Sequence, residues 1–260
     1  MPLVRRFPVR FTARFTARFT AQFPGRFPSR LRAAAIAALL PLCLLAFQHA
    51  QAARQPPAPA QELTRQAVTA YDAGAFDSAL RDFAKAAQQG NRLAQYNYAM
   101  MLLRGEGTPV RQEEALIWLH RAAENDMTQA QFTFGEMYEH GELVPRSLES
   151  ANQWYRRAAE GGHVQAQVEL ATNYFTGRGL ARDYGKAFEW YTRAATAGDG
   201  GAQYIVASYY ERGEPGVVEK DIEQAKIWYA RAAAHGDPGA LAKLRSLIEQ
   251  GLKAKQAGAM

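Results

Sequence analysis

An all-α solenoid is the fold class this sequence predicts, on two observations: a fixed period along the chain and helical spacing of apolar residues within each period. Ala-Gln recurs at Ala94-Gln95, Ala130-Gln131, Ala166-Gln167 and Ala202-Gln203, in three equal steps of 36 residues. Each copy then carries a Gly (Gly105, Gly141, Gly177, Gly213), a Trp (Trp118, Trp154, Trp190, Trp228) and an Arg-Ala-Ala triplet from Arg121, Arg157, Arg193 and Arg231. A period in the range of roughly 20–50 residues marks units too small to bury their own apolar face, which therefore stack on their neighbours.

Taken in order, the chain opens with a leader. Phe recurs at every fourth position from Phe7 to Phe27, with Arg before most of them, and Pro8, Pro24 and Pro28 interrupt any helix there. An apolar run from Ala33 to Phe47 follows Arg30 and Arg32, and Ala50-Gln51-Ala52 comes next. Basic start, apolar run and small-x-small site are the parts of a secretory signal peptide cleaved after Ala52, and the run is short against the ~20 residues of a membrane span. Residues 1–52 are thus leader and signal peptide, and contact with the membrane is expected only in transit. The leader holds eight Arg and no acidic residue, whereas the remainder carries 23 basic and 25 acidic side chains. The net charge of +6 therefore belongs to the leader, and the folded part makes no compositional case for nucleic acid. The one cysteine, Cys43, also lies in the leader, so no disulfide framework or cysteine metal site is expected.

Pro56, Pro57 and Pro59 stiffen a linker over 53–61, after which folded structure is expected from Glu62. Each unit then reads as two antiparallel helices. Ala94, Tyr98, Ala99 and Leu102 define one buried face of a first helix, and the later copies keep it. The Gly that follows ends that helix, because it accepts the left-handed conformation of a C-cap. Ser147, Asp183 and Asp221 are placed to cap the second helix, whose buried stripe is Ala115, Trp118, Leu119 and Ala122 and its equivalents. Gly162, Gly198 and Gly236 end three of these second helices, and Asp126 takes that place in the first copy.

The register Ala-x-x-x-Leu-Gly-x-x-Tyr-x-x-Gly-x-Gly followed by Ala-x-x-Trp-Tyr-x-x-Ala-Ala resembles that of Sel1-like repeats, relatives of tetratricopeptide repeats. The resemblance covers about Ala94 to Gly236 and gives units at 92–127, 128–163, 164–199 and 200–237. Residues 62–91 look like a tetratricopeptide unit instead, with Ala70-Tyr71, Gly74, Phe76, Ala79, Phe83 and Ala86-Ala87 and a shorter inter-helix loop. The last unit inserts two residues around Glu214-Pro215-Gly216; 238–251 is expected to be a capping helix and 252–260 a disordered tail. The resemblance implies a right-handed superhelical solenoid of about eleven helices.

Nothing in the folded part has the spacing of a catalytic or metal site. His120, His140, His163 and His235 fall on different elements and are read as solvated or turn-lining residues. Gly105-Glu106-Gly107 and Gly177-Arg178-Gly179 are explained as turns by their place in the repeat, Glu136, Glu139 and Glu142 as solvated helix surface, and the Trp and Tyr residues as core. No cofactor, metal or catalytic residue is expected. Some relatives of this repeat class have been linked to antibiotic hydrolysis, but those are rich in cysteine and this chain is not.

The four copies, set in register, differ freely opposite the first-helix core stripe. Those positions are Asn97, Thr133, Glu169 and Ile205; Met100, Glu136, Thr172 and Ser208; and Arg104, His140, Thr176 and Arg212. In a tetratricopeptide-like superhelix the first helices line the concave side, where an extended peptide or partner helix is held. The expected function is that of an exported monomeric adaptor with a protein or peptide partner, periplasmic or secreted. A cell-envelope factor engaging host or cell-wall components and a hydrolase of peptidoglycan or β-lactam-like substrates are the alternatives.

Overall fold

The computed structural model describes residues 58–257. The leader, the expected cleavage site and the linker up to residue 57 lie outside the described residues, as does the end of the tail. Among the described residues there are eleven helices: α1 (Ala58–Asp72), α2 (Phe76–Gln88), α3 (Arg92–Arg104), α4 (Gln112–Glu124), α5 (Thr128–His140), α6 (Leu148–Glu160), α7 (Val164–Thr176), α8 (Tyr184–Thr196), α9 (Gly200–Arg212), α10 (Ile222–Ala234) and α11 (Pro238–Ala257). No strand occurs among them, and no helix is long and apolar enough to cross a membrane.

Helices α2 to α10 are all 13 residues long. A helix of that length is marginal alone in water, so the stability of each comes from its packed face. Packing is most extensive within the pairs α1–α2, α3–α4, α5–α6, α7–α8 and α9–α10, and each pair then stacks on the next. The α4–α5 seam is the thinnest of the contacts between successive helices. This is the helix-pair solenoid expected from the period.

Two expected boundaries need correction. α1 begins at Ala58, inside the stretch read as linker, because Pro59 sits in the first turn, where a missing N–H leaves no hydrogen bond unmade. α11 runs to Ala257 rather than stopping at 251, since Leu252, Lys253, Ala254, Lys255 and Gln256 are all strong helix formers that carry it past Gly251.

The recurring marks each have a structural cause. The Gln of each Ala-Gln pair is buried, and its side-chain amide donates to a carbonyl in the last turn of the preceding unit. The bonds run from Gln95 to Ala87 (3.2 Å), Gln131 to Ala123 (2.9 Å), Gln167 to Ala159 (3.1 Å) and Gln203 to Ala195 (3.1 Å). The Arg of each Arg-Ala-Ala stacks its guanidinium over the Trp one turn earlier, at 4.5, 4.6, 4.3 and 4.4 Å from the ring centres of Trp118, Trp154, Trp190 and Trp228. The expectation of a fully buried Trp stripe holds for Trp190 and Trp228, which are 7% and 8% exposed. Trp118 and Trp154 are only half-buried, even with the Arg stacked on the ring.

Turn chemistry follows the sequence closely. Gly105, Gly141 and Gly177 end α3, α5 and α7 in the left-handed conformation, and Asp126 takes a positive φ of 57° where the other units have Gly. Ser147, Asp183 and Asp221 accept from Ser150, Lys186 and Gln224 N–H at the starts of α6, α8 and α10. The second Gly of Gly105-Glu106-Gly107 has a further reason. A Cβ on Gly107 would lie 2.8 Å from the Phe76 carbonyl oxygen, so the loop of one unit seats against the backbone of the unit before it. Gly213 departs from its equivalents because the inserted residues close on themselves through a bridge between Glu214 and Val218.

Candidate protein-interaction face

The twelve divergent first-helix positions all lie unburied. Arg104, Glu136, His140, Thr176 and Arg212 are exposed, whereas Asn97, Met100, Thr133, Glu169, Thr172, Ile205 and Ser208 are half-buried. They are not equally available. The Thr133, Thr172 and Thr176 hydroxyls each bond a carbonyl one turn back in their own helix, and Thr172 also meets the Tyr191 hydroxyl at 2.9 Å. Ile205 packs against the main apolar cluster, and Ser208 accepts from Arg212.

Three of these residues are brought together in one open cleft, and a fourth lines a second. Asn97, Met100 and Arg104 line one of about 290 Å³, with Val68, Tyr71 and Asp72 from α1. Arg212 lines another of about 220 Å³, with Phe175, Tyr184, Tyr209 and Glu214. Between these, Glu136, Glu169 and His140 share one electrostatic neighbourhood. Although Glu136 is exposed as a residue, partial desolvation of its carboxyl raises it above its usual range; His140 opposes this, and Glu169, Glu139 and Glu142 add to it.

The sequence groups Glu139 with Glu136 and Glu142 as solvated surface, and the structure corrects this. Glu139 is 8% exposed, accepts from the Tyr155 hydroxyl and pairs with Arg178 of the next unit. Glu211, two repeats later, does the same work: it accepts from Tyr229 at 2.6 Å and from Lys243 at 2.9 Å. Burial alone would raise the Glu211 carboxyl, but those two donors outweigh it and hold it below the ordinary value. The Tyr155 and Tyr229 hydroxyls are pushed up by burial and by the carboxylates they bond. The signal for this role is the helical phase of Glu139 and Glu211, which puts them next to the Tyr of the Trp-Tyr pair rather than on the divergent face.

Among the described residues no group of three His, Cys, Asp or Glu side chains is arranged to hold a metal. His120 and His235 are exposed, and His140 bonds the Glu136 carbonyl of its own helix. His163 has the most defined role. Its Nδ1 accepts from Ala166 N–H at 3.2 Å, capping α7, and Nε2 lies 3.1 Å from Gln129 Oε1, with the ring stacked on Phe132 at 4.5 Å. Only the neutral ring protonated on Nε2 satisfies both contacts.

A family model described as Sel1 repeat matches residues 92–127, 128–163, 164–199 and 201–237, more than half of the chain. Among solved structures, a Sel1 repeat protein from Oxalobacter formigenes superposes with a TM-score of 0.63 at 30% identity, over 70% of this chain and 74% of that one. A protective antigen present in uropathogenic Escherichia coli, displaying an SLR fold, gives a TM-score of 0.61 at 32% identity over 68% of this chain. The chain spans 37% of the length of that antigen. No curated protein matches the chain.

Burial lowers the His163 ring below its ordinary 6.5, so the histidine cap is fully present above that value and is lost as pH falls through the depressed one. Thermal unfolding should therefore show a loss of about 1 kcal/mol, the worth of a helix cap, as pH falls from above 6.5 to below the depressed value. His163→Asn, which copies the cap that Asn91 supplies to α3, should remove that increment of acid sensitivity; an unchanged pH profile would contradict the assignment.

Proposed function

Because the chain belongs to the Sel1 repeat family, whose members are in general non-catalytic protein-interaction scaffolds, we propose that it is an adaptor that holds an extended peptide or partner helix against its first-helix face. One observation carries this reading. The residues that fix the frame repeat in register, while the first-helix positions Asn97, Glu136, Glu169, Thr172 and Arg212 differ in charge and size and stay unburied. A binding surface on a repeat scaffold has that form: an invariant support presenting unlike side chains in sequence.

The adaptor is exported. The support is the apolar run Ala33 to Phe47 followed by Ala50-Gln51-Ala52, together with the absence of cysteine from residues 54–260. The site of action is the periplasm or the exterior, and the partner is a protein or peptide rather than a nucleic acid.

Two measurements test the proposal. Replacing Asn97, Glu136, Glu169, Thr172 and Arg212 together by Ala should leave a cooperative circular dichroism melt, each exposed change being worth within about 0.5 kcal/mol and the loss of the Thr172 hydroxyl beside Tyr191 about 1 kcal/mol. Crosslinking pull-down from the native envelope should lose the partner that the wild-type chain retains; full retention would move the interaction off this face. Amino-terminal sequencing of the mature protein should begin at Ala53, and recovery of the intact leader in a cytosolic fraction would overturn the export reading.

A further inference from the structure

The two clefts on the first-helix face are register equivalents. Tyr71 and Phe175 are the penultimate residues of α1 and α7, and Phe76 and Tyr184 are the first residues of α2 and α8. Each pair forms an aromatic contact across its hairpin, at 5.3 Å for Tyr71–Phe76 and 5.4 Å for Phe175–Tyr184. In the next unit, Arg104 and Arg212 end α3 and α9, and Glu106 and Glu214 follow two residues later. The first and last junctions of the solenoid thus share an aromatic pair, an arginine and a glutamate. The two junctions between them do not: the aromatic places hold Leu103 and Gln112 in one and Glu139 and Leu148 in the other. The common packing of the repeat does not require this set, because two of the four junctions pack without it.

Each cleft also holds a buried polar atom without a partner. In the first it is Glu106 Oε2, the other oxygen of that carboxylate accepting from the Tyr71 hydroxyl at 3.2 Å. In the second it is the hydroxyl of Tyr209, a residue 6% exposed whose ring packs on Phe188 at 5.1 Å. The place of Tyr209 is held by Asn173 in the preceding unit, which spends its amide on Asn152 at 2.8 Å. Phe188 stands where Asn152 would answer, so the tyrosine keeps its ring contact and its hydroxyl finds no acceptor. Burial, with the neighbouring Tyr191 and Glu214, pushes that hydroxyl up to about 12, so it remains a donor at neutral pH. An unpaired buried hydroxyl is destabilising, and a main-chain carbonyl of a bound polypeptide that accepted from it would recover that cost.

We propose that these two clefts are sockets for apolar side chains of an extended polypeptide, with the arginine and glutamate at each rim engaging the main-chain amide beside that side chain. The socket role rests on the scaffold reading above and deepens it. Volumes of about 220 and 290 Å³ fall below the ~300–1,000 Å³ usual for small-molecule sites and suit a single side chain. Phe175, 46% exposed, and Tyr184 offer that side chain an aromatic wall. A peptide group presents one acceptor and one donor, and Arg212 and Glu214 offer the complement; Arg104 and Glu106 offer it on opening the 4.0 Å ion pair between them.

The test uses the full-length chain, isotope-labelled at tyrosine and glycine, titrated with N-acetylphenylalanine methylamide and, as comparator, N-acetylglycine methylamide. The phenylalanine probe should give saturable millimolar shifts at Tyr184, Tyr209 and Gly213, and the glycine probe none. Tyr209→Phe keeps the ring packing and should weaken the probe about fivefold, the worth of one hydrogen bond. Phe175→Ala, which gives up the ring contact with Tyr184, should abolish the response while the chain keeps a cooperative melt. Absence of saturable shifts, or an affinity that Tyr209→Phe leaves unchanged, overturns the socket. The two failures are distinguishable: loss of the partner by the five-residue face variant, with no shift from the probe, would leave the scaffold reading standing and remove this one.

Discussion

One carbonyl per unit holds the stack together. In four successive turns the second Ala of an Ala-Ala pair, at Ala87, Ala123, Ala159 and Ala195, accepts from the same two kinds of donor, and at Ala123 the Arg157 guanidinium adds a longer contact at 3.5 Å. One donor is the N–H of the left-handed residue that ends its helix (Gly90, Asp126, Gly162, Gly198), and the other is the buried Gln amide of the next unit. The last carbonyls of a helix have no partner within it, and in this repeat both lone pairs of one of them are used, one by the turn and one by the neighbour. The bond therefore fixes both how the chain leaves one hairpin and where the next one sits. After α10 the turn bond remains, from Gly236 to Ala233, but exposed Leu241 stands where a Gln would reach, and no further pair follows among the described residues.

Everything else in the repeat is consistent with that constraint. Alanine is required at the paired positions because their Cβ atoms are almost fully covered, and a larger side chain would push the next hairpin away from the carbonyl. Arginine and tryptophan stack beside it, and the Tyr–Glu bonds of Tyr155 with Glu139 and Tyr229 with Glu211 close the other end of two hairpins. With the frame held by backbone carbonyls, caps and alanines, the first-helix surface is free to differ from unit to unit. The proposed side-chain sockets use that freedom at the two outer junctions, where an aromatic pair, an arginine and a glutamate coincide.

Most of the fold is legible in the sequence because its marks are backbone marks. Gly105, Gly141 and Gly177 sit where the chain needs a left-handed residue, and Ser147, Asp183 and Asp221 sit where free N–H groups need an acceptor; both requirements act locally. The role of the recurring Gln is not legible, since its partner lies eight residues back in another helix and any polar residue there reads equally well as surface. Glu139 is misplaced for the same reason: next to Glu136 and Glu142 it looks like a solvated run, and only the three-dimensional phase turns it toward Tyr155. The candidate face can be located by comparing copies in register. The coincidence of Tyr209 with Phe188 cannot, because it depends on which side chain answers across the junction.

The claim that successive units are locked through the shared carbonyl is tested most directly at the thin α4–α5 seam, by urea unfolding of Gln131→Met. The substitution keeps the approximate size of the side chain and removes its amide, and with it the donor to Ala123. If the hydrogen bond couples the units, the variant should lose about 1 kcal/mol and unfold over a broader transition, as expected when a nearest-neighbour term is weakened in a repeat array. A midpoint and slope equal to those of the wild-type chain would contradict this, because apolar stacking alone would then set the register and the glutamine–carbonyl bond would not be what joins the repeats.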